Sequence, residues 1–205
     1  MISRLNPPVI CLITKGEATP ANFPRKKKEI LAIIAAAVEN NIGIVQVREK
    51  RLGGKQLYEL FSDAAKITRG TATKLVINDR VDIALAAGAD GVHLPGNSIP
   101  AKIIRDKFPT GFIIGASTHS IEEAERAALD RADYAFFGPV FDTPGKGPAH
   151  GIEGLRGVCD KLTPFPVIAL GGIDIDNYRD VLNAGASGFA AIRFLNDAEN
   201  LRKLS

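Results

Sequence analysis

The feature that most constrains the fold is a regular alternation of short apolar runs with longer segments of helical periodicity. Eight runs rich in β-branched and other apolar residues occupy positions 9–14, 43–48, 74–78, 91–94, 112–117, 134–138, 167–170 and 188–192. Their hydrophobicity is nearly continuous, which is typical of strands covered on both faces in a parallel sheet. Eight strand–helix units favour a closed barrel over an open doubly wound sheet. We therefore predict an α/β fold, a (β/α)8 TIM barrel, with residues 1–205 forming a single domain.

The segments between the runs carry apolar residues at helical spacing. This pattern predicts helices over 28–40, 56–69, 120–129 and 174–184. Ser120 followed by Glu123 is a capping-box pattern, and Gly185 suits a helix C-terminus. The basic run 25–28 is interpreted as the solvated first turn of a helix rather than as a nucleic-acid patch.

Composition argues against several classes of protein. The net charge of +3 is mild, so nucleic acid is not an expected partner. No apolar run reaches the roughly 18–20 residues of a membrane span, and no signal-peptide pattern is present, so no membrane partner is expected. Cys11 and Cys159 lack a second Cys or a His at ligand spacing. We expect both to be reduced structural thiols in a cytoplasmic protein.

Cationic residues follow the second run, and barrels of this kind place their active sites at the carboxyl ends of the strands. Alternation puts Gln46, Arg48 and Lys50 on one side of the chain. Two cations there attract phosphate or pyrophosphate oxygens, and the alternative is a surface salt bridge with Glu49. The Gly- and Pro-rich segment 138–148 is predicted to be a lid that places Lys146 over a bound anion, with a plain surface loop as the alternative.

Other polar residues end the third, fourth and fifth runs. Asn78 and Asp79 suit a metal or an amine, although Asp is also a preferred helix N-cap. His93 is interpreted as a packing residue, with acid–base catalysis as the alternative. Ser117 is predicted to point to the barrel mouth or to cap a helix. His119 has no Ser–base–acid arrangement near it in sequence, so no covalent nucleophile is predicted.

A second anion site is predicted after the seventh and eighth runs. Gly171 and Gly172 form a glycine pair at the expected start of a helix, where backbone N–H groups and the helix dipole hold anions. Arg193 supplies a further cation after the eighth run. Two anion sites predict two phosphorylated ligands, or one ligand with two phosphates.

The motifs taken together resemble the thiamine phosphate synthase family, including its thiazole tautomerase branch. They are Gln46-Val47-Arg48-Glu49-Lys50, Val76-Ile77-Asn78-Asp79, Gly91-Val92-His93-Leu94, Gly115-Ala116-Ser117-Thr118-His119, Ala132-Asp133-Tyr134 with Gly138-Pro139-Val140-Phe141, and Gly171-Gly172-Ile173. The resemblance runs in order along nearly the whole chain, and the motifs are specific as a set.

The resemblance implies a transferase that couples hydroxymethylpyrimidine diphosphate to thiazole phosphate and releases pyrophosphate through a dissociative displacement. The implied roles are pyrimidine contact by Gln46, diphosphate binding by Arg48, Lys50, Asn78 and Lys146, Mg²⁺ ligation by Asp79, thiazole-phosphate contact by Thr143 and Gly172, and a place near the reacting centre for Ser117. Little acid–base machinery is then needed. The expected partners are small phosphorylated substrates, and a homodimer is left open.

Three positions depart from the family pattern. Ser98 stands where a second carboxylate ligand of the metal belongs, and Gly145 stands where the family has a Thr. Arg193 is near a position usually held by Ser, where it would strengthen anion binding or block the pocket. The catalytic His of the tautomerase branch is replaced by Pro139. A tautomerase-like enzyme, a non-catalytic phosphate-ligand-binding paralogue and an unrelated phosphate-binding barrel therefore remain as alternatives.

Overall fold

The computed structural model describes residues 8–108 and 111–204. Within these residues eight strands form a closed barrel in which each strand is hydrogen-bonded to the next in chain order. The strands are β1 (Val9–Ile13), β2 (Ile44–Val47), β3 (Lys74–Asn78), β4 (Gly91–Leu94), β5 (Ile113–Thr118), β6 (Tyr134–Phe137), β7 (Val167–Leu170) and β8 (Gly188–Ala191). The predicted (β/α)8 barrel is confirmed. The assignment of the chain to one domain stays a prediction.

Helices follow the strands throughout the described residues. They are α1 (Phe23–Glu39), α2 (Gly54–Thr68), α3 (Val81–Ala87), α4 (Ala101–Lys107), α5 (Ile121–Leu129), α6 (Gly151–Leu162), α7 (Tyr178–Asn183) and α8 (Ala198–Arg202), with a short 3₁₀ helix, Phe194–Asn196, before α8. The predicted cap is confirmed, because the Ser120 side chain accepts a hydrogen bond from the Glu123 backbone N–H. Helix α1 begins earlier than predicted, with a proline in its first turn, where the fixed φ and missing N–H cost nothing.

Burial explains the continuous hydrophobicity of the runs. Every residue of β2, β4, β6 and β8 is buried, as expected for strands between a filled barrel interior and an outer layer of helices. Fully buried large side chains such as Phe61, Tyr134 and Phe189 occupy this core. Because both faces of these strands are buried, the sequence lacks the alternation of apolar and polar residues that a sheet with one solvent-exposed face would show.

One compact unit comprises residues 11–92 and 192–204. In it β1, β2 and β3 pair in parallel, and α1 packs against α2. The basic run lies in the first turns of α1, as predicted, and three of its four cations form ion pairs with carboxylates of the described residues. Lys27 contacts both Glu59 and Asp63 of α2 at 2.6 Å. The ion pairs of Lys27 join α1 to α2, so this cation serves packing of the two helices.

The other compact unit comprises residues 8–10 and 93–191. Strands β5 to β8 pair in parallel there. A buried ion pair joins Arg105 of α4 to Asp133 at 2.6 Å, and the same carboxylate accepts a hydrogen bond from the Ile114 N–H. The pair therefore ties α4 to the amino ends of β5 and β6, away from the strand ends where barrel active sites form.

The two cysteines are free and buried, as expected. Burial raises the pKa of the Cys159 thiol to about 11 and raises the pKa of the Cys11 thiol even more. Both thiols are therefore protonated at neutral pH. Among the described helices, none combines the length and the apolar character that a membrane crossing requires.

Candidate active site

The predicted site residues lie at the carboxyl ends of strands. Gln46 belongs to β2 and Asn78 ends β3, while Ser117 belongs to β5. The remaining residues lie in loops that directly follow strands: Arg48 and Lys50 after β2, Asp79 after β3, Thr143 and Lys146 after β6, Gly171 and Gly172 after β7, and Arg193 after β8. This end of a (β/α)8 barrel is where active sites form.

Gln46 and Asn78 are joined across neighbouring strands. The Gln46 Nε2 atom donates a hydrogen bond to Asn78 Oδ1 at 3.2 Å, and the Gln46 side chain is buried. The other Gln46 atom, Oε1, is also buried and has no hydrogen-bond partner among the described residues. An unsatisfied buried acceptor of this kind costs about 1–3 kcal/mol. A hydrogen-bond donor on a ligand would remove that cost.

Arg48 and Lys50 make no ion pair with any residue in the described part of the chain. The alternative of a surface salt bridge with Glu49 is wrong. The Glu49 carboxylate is 3% exposed and accepts hydrogen bonds from the Thr14 hydroxyl and from the backbone of the loop after β1. The two cations at the end of β2 are therefore available to an anionic ligand.

Asp79 adopts a left-handed backbone conformation with a φ of 65°, which is uncommon for a residue with a side chain. Arg80 is the N-cap residue of α3, and its side chain makes no capping hydrogen bond. Capping of the helix and ligation of a metal by Asp79 both stay predictions. Such backbone strain is found preferentially at functional sites. The described residues contain no group of three or more His, Cys, Asp or Glu side chains that would hold a metal by themselves.

Ser117 is held by His93, which the sequence interpretation treated as a packing residue. His93 is 1% exposed, its Nε2 atom lies 2.8 Å from Ser117 Oγ, and its Nδ1 atom lies 3.2 Å from the Tyr134 hydroxyl. A Cβ at Gly115 would collide with the Tyr134 ring and lie 2.6 Å from His93 Nδ1. The absence of a side chain at Gly115 thus leaves space for the hydrogen-bonded series Tyr134–His93–Ser117.

The loop after β6 is anchored on the end of β7. The Val140 N–H donates to the Leu170 carbonyl at 2.9 Å, and the Phe141 N–H donates to the Gly171 carbonyl at 3.1 Å. A Cβ at Gly172 would lie 2.7 Å from the Phe141 Cβ, and Gly172 has a φ of +67°. The glycine pair is therefore required by the close approach of this loop.

The prediction that Gly171 and Gly172 open a helix is wrong. Helix α7 begins only at Tyr178, because the Asn177 side chain accepts a hydrogen bond from the Asp174 N–H and donates one to the Gly172 carbonyl. The helix dipole consequently does not act at the glycines. Any anion binding there rests on their backbone N–H groups.

The other predicted loop residues are placed as follows. The Thr143 hydroxyl donates to the Phe141 carbonyl at 3.0 Å, and the Lys146 N–H donates to the Thr143 carbonyl at 3.1 Å. Lys146 and Arg193 are exposed and make no ion pair with a described residue. The Ser98 N–H donates to the Pro95 carbonyl at 2.9 Å, in the turn that follows β4.

Sequence reasoning missed the roles of Glu49 and His93. The residue types alone indicate that partners must exist. A glutamate or a histidine that becomes buried needs polar groups to bond with, and Glu49 and His93 lie next to and within apolar runs, respectively. The partners themselves lie far away in the chain: Glu49 bonds to residues 14–18, and His93 bonds to Ser117 and Tyr134. No local pattern identifies them.

The fold is a (β/α)8 barrel, and polar and cationic residues stand at or directly after the carboxyl ends of its strands. The family model of thiamine monophosphate synthase matches residues 10–195, and the chain belongs to this family. The predicted family is thereby confirmed, and an unrelated barrel is excluded. As the family indicates, the protein is an enzyme, a transferase.

Relatives and solved structures agree with this membership. The chain is 41% identical over 165 residues to the thiamine-phosphate synthase of Methanoculleus marisnigri, covering 79% of this chain and 77% of that protein. It is 37% identical over 177 residues to that of Caldanaerobacter subterraneus, covering 85% and 82%. The structure of thiamine phosphate pyrophosphorylase from Pyrococcus furiosus has a TM-score of 0.79 at 34% identity, covering 95% of this chain and 94% of that one.

Proposed function

We propose that this protein is a thiamine-phosphate synthase, which joins hydroxymethylpyrimidine diphosphate to thiazole phosphate and releases pyrophosphate. The observation that carries the proposal is the pair of cations, Arg48 and Lys50, that the described residues leave without ion-pair partners at the end of β2. Cations fixed where a diphosphate gains negative charge stabilise its departure. The names of the relatives support the same reaction.

Gln46 and Asn78 suit the pyrimidine and its diphosphate. The buried Gln46 Oε1 atom needs a donor, and the amino group of an aminopyrimidine supplies one. Asn78 already accepts from Gln46 Nε2, which fixes the orientation of the Gln46 amide. The Asn78 Nδ2 group is then directed elsewhere, and we assign it to a diphosphate oxygen.

The chemistry is a dissociative displacement. The bond between the methylene carbon of the pyrimidine and the diphosphate oxygen breaks, the electron pair leaves with pyrophosphate, and the thiazole nitrogen captures the resulting cation. Arg48, Lys50 and Lys146 neutralise the departing group, and Ser117 lies near the reacting centre. This course needs no enzyme nucleophile, so we assign the contact between His93 and Ser117 to orientation of the hydroxyl rather than to activation of a nucleophile.

The thiazole phosphate is assigned to the residues after β6, β7 and β8. Gly171 and Gly172 contribute backbone N–H groups with no side chain of their own beside them, and Thr143 adds a hydroxyl. Arg193 contributes an exposed cation after β8. In the tautomerase branch a histidine follows the glycine at the end of β6, and Pro139, which stands there, has no ionisable side chain.

Mg²⁺ is proposed as the cofactor, with Asp79 as its protein ligand. Mg²⁺ is usually held by one or two carboxylates together with substrate phosphates rather than by a complete protein cage. The single carboxylate of Asp79 fits an ion that binds together with the diphosphate. When bound there, Mg²⁺ would offset negative charge that develops on the leaving diphosphate. Ser98 offers only a neutral hydroxyl.

The test is a pyrophosphate-release assay with both phosphorylated substrates and Mg²⁺, and with each substrate omitted in turn. Stoichiometric formation of thiamine phosphate and pyrophosphate, only when both substrates are present, supports the proposal. Tight binding of thiazole phosphate without release of pyrophosphate would instead identify a non-catalytic binding protein. Conversion of thiazole phosphate alone would identify a tautomerase.

A further inference from the structure

Glu49 is a buried carboxylate that binds the loop after β1. Its Oε1 atom accepts from the Thr14 hydroxyl at 2.8 Å and from the Gly16 N–H at 3.2 Å, and its Oε2 atom accepts from the Ala18 N–H at 2.9 Å. Hydrogen bonds to an ionised acceptor are about twice as strong as neutral ones. One side chain therefore fixes three points of the five-residue segment 14–18.

The segment that Glu49 holds lies directly against Arg48. The Thr14 hydroxyl oxygen accepts the Arg48 N–H at 2.9 Å. A Cβ at Gly16 would lie 3.2 Å from the Arg48 carbonyl oxygen and 3.4 Å from its Nη1 atom. The backbone at Gly16 is thus in near contact with the guanidinium group, and its position limits where that group lies.

The hydrogen bonds to Glu49 also determine whether Arg48 and Lys50, at the end of β2, keep their full attraction for an anionic ligand. A carboxylate between two cations in sequence can form a salt bridge with one of them and so reduce its attraction for an anionic ligand. Here the Glu49 carboxylate is stabilised by hydrogen bonds from neutral donors on residues 14–18, and it forms no salt bridge with Arg48 or Lys50.

We propose that Glu49 is a positioning residue for the diphosphate subsite: it holds segment 14–18 against Arg48 and leaves both neighbouring cations free to bind diphosphate. The inference rests on the proposed function. Glu49 does not touch the substrate. It acts through the loop and through Arg48, so its loss should weaken diphosphate binding selectively.

Two substitutions test the proposal by independent routes. Glu49→Gln replaces one acceptor oxygen by an N–H₂ group, which opposes the Gly16 or the Ala18 N–H. Thr14→Val keeps the shape of the side chain but removes the hydroxyl that joins Glu49 to Arg48. Glu39→Gln, an exposed glutamate at the end of α1, is the chemical control. Ile34→Val, in the core, is the stability control.

The measurement is the KM of each substrate at a temperature well below unfolding. We expect Glu49→Gln and Thr14→Val to raise the KM of the pyrimidine diphosphate about tenfold and to leave the KM of thiazole phosphate unchanged. In both control variants, Glu39→Gln and Ile34→Val, the KM values of both substrates should equal those of the wild type. The proposal is overturned if the folded variants match the wild type, or if both KM values rise together. If Glu49→Gln does not fold, Thr14→Val decides.

A binding measurement separates failure of this proposal from failure of the proposed function. Inorganic pyrophosphate with Mg²⁺ is titrated calorimetrically into the wild type and into both variants. If the wild type shows no turnover but binds pyrophosphate, and the variants bind it about tenfold more weakly, the function is wrong and the positioning role stands. Equal affinities in all three proteins reject the positioning role, whatever the turnover.

Discussion

His93 lies between two hydroxyl groups, and only one of its ring nitrogens carries a proton when the ring is neutral. One contact is then a donor and the other an acceptor, so Tyr134 and Ser117 are coupled through the ring. The ring also packs on Phe136 at a centroid distance of 4.2 Å, which holds its plane. At the scale of single residues, the orientation of the Ser117 hydroxyl is therefore set from inside the barrel.

Replacing His93 tests that coupling. His93→Phe keeps a ring against Phe136 but removes both nitrogen contacts, so Ser117 loses its fixed orientation. We expect kcat to fall about 10²-fold, the cost of misplacing a group at a reacting centre. Ser117→Ala and the double variant complete a cycle, and the double variant should be no slower than Ser117→Ala. Losses that multiply would show that His93 acts independently of Ser117.

Ser98→Asp tests the metal proposal at a single position. An added carboxylate should raise Mg²⁺ affinity about tenfold in the presence of pyrophosphate, because hard cations favour anionic oxygen ligands. The measurement is calorimetric titration of Mg²⁺, with the Mg²⁺ concentration for half-maximal activity as a second readout. Ser98→Asn, of the same shape but neutral, is the control. Equal affinity in all three proteins would show that position 98 is not a metal position.

At the scale of secondary-structure elements, the position of the first residues of the loop after β6 is determined by hydrogen bonds to the end of β7. These residues continue the pairing with the end of β7, whereas the tip of the loop around Lys146 is exposed. Gly171 and Gly172 permit this approach, because both have positive φ and both would place a Cβ against the loop. The anchored base and exposed tip agree with the predicted lid over bound ligand, which stays a prediction.

A matched pair of glycine substitutions tests this anchoring. Gly172→Ala forces a Cβ against Phe141 at an unfavourable φ, so the free energy of unfolding should fall by about 1–3 kcal/mol. Gly147→Ala, in the same loop, meets nothing within 4 Å and should change it by less than about 0.5 kcal/mol. Urea unfolding followed by circular dichroism measures both. Equal stability of the two variants would refute the anchoring role.

Local patterns predicted the strands well and the connections poorly. Strands β3, β4 and β7 have their predicted bounds, since buried parallel strands carry an unbroken apolar signature. The late start of α7 was missed because it depends on the Asn177 side chain bonding to Gly172 and Asp174, a turn that helical periodicity does not record. The partners of Glu49 were missed for the related reason that they come from another strand–helix unit.

For the whole molecule, the eightfold alternation predicted the closed barrel, and the barrel in turn predicted where polar residues matter. Family membership then follows from motifs spread over residues 10–195 rather than from any one of them. The family resemblance implies which residues bind the diphosphate. The structure adds that two of them, the cations after β2, are without carboxylate partners among the described residues, which supports the proposal that they neutralise the leaving group.

The most direct measurement is the single-turnover rate of pyrophosphate release by Arg48→Gln, with both substrates saturating. Arg126→Gln, an exposed arginine in the last turn of α5, is the matched control. We predict a loss of about 10²–10³-fold for Arg48→Gln and wild-type rates for the control, since removing one preorganised donor has effects of that size. Wild-type rates in both variants would contradict the claim that cations at the end of β2 neutralise the leaving group.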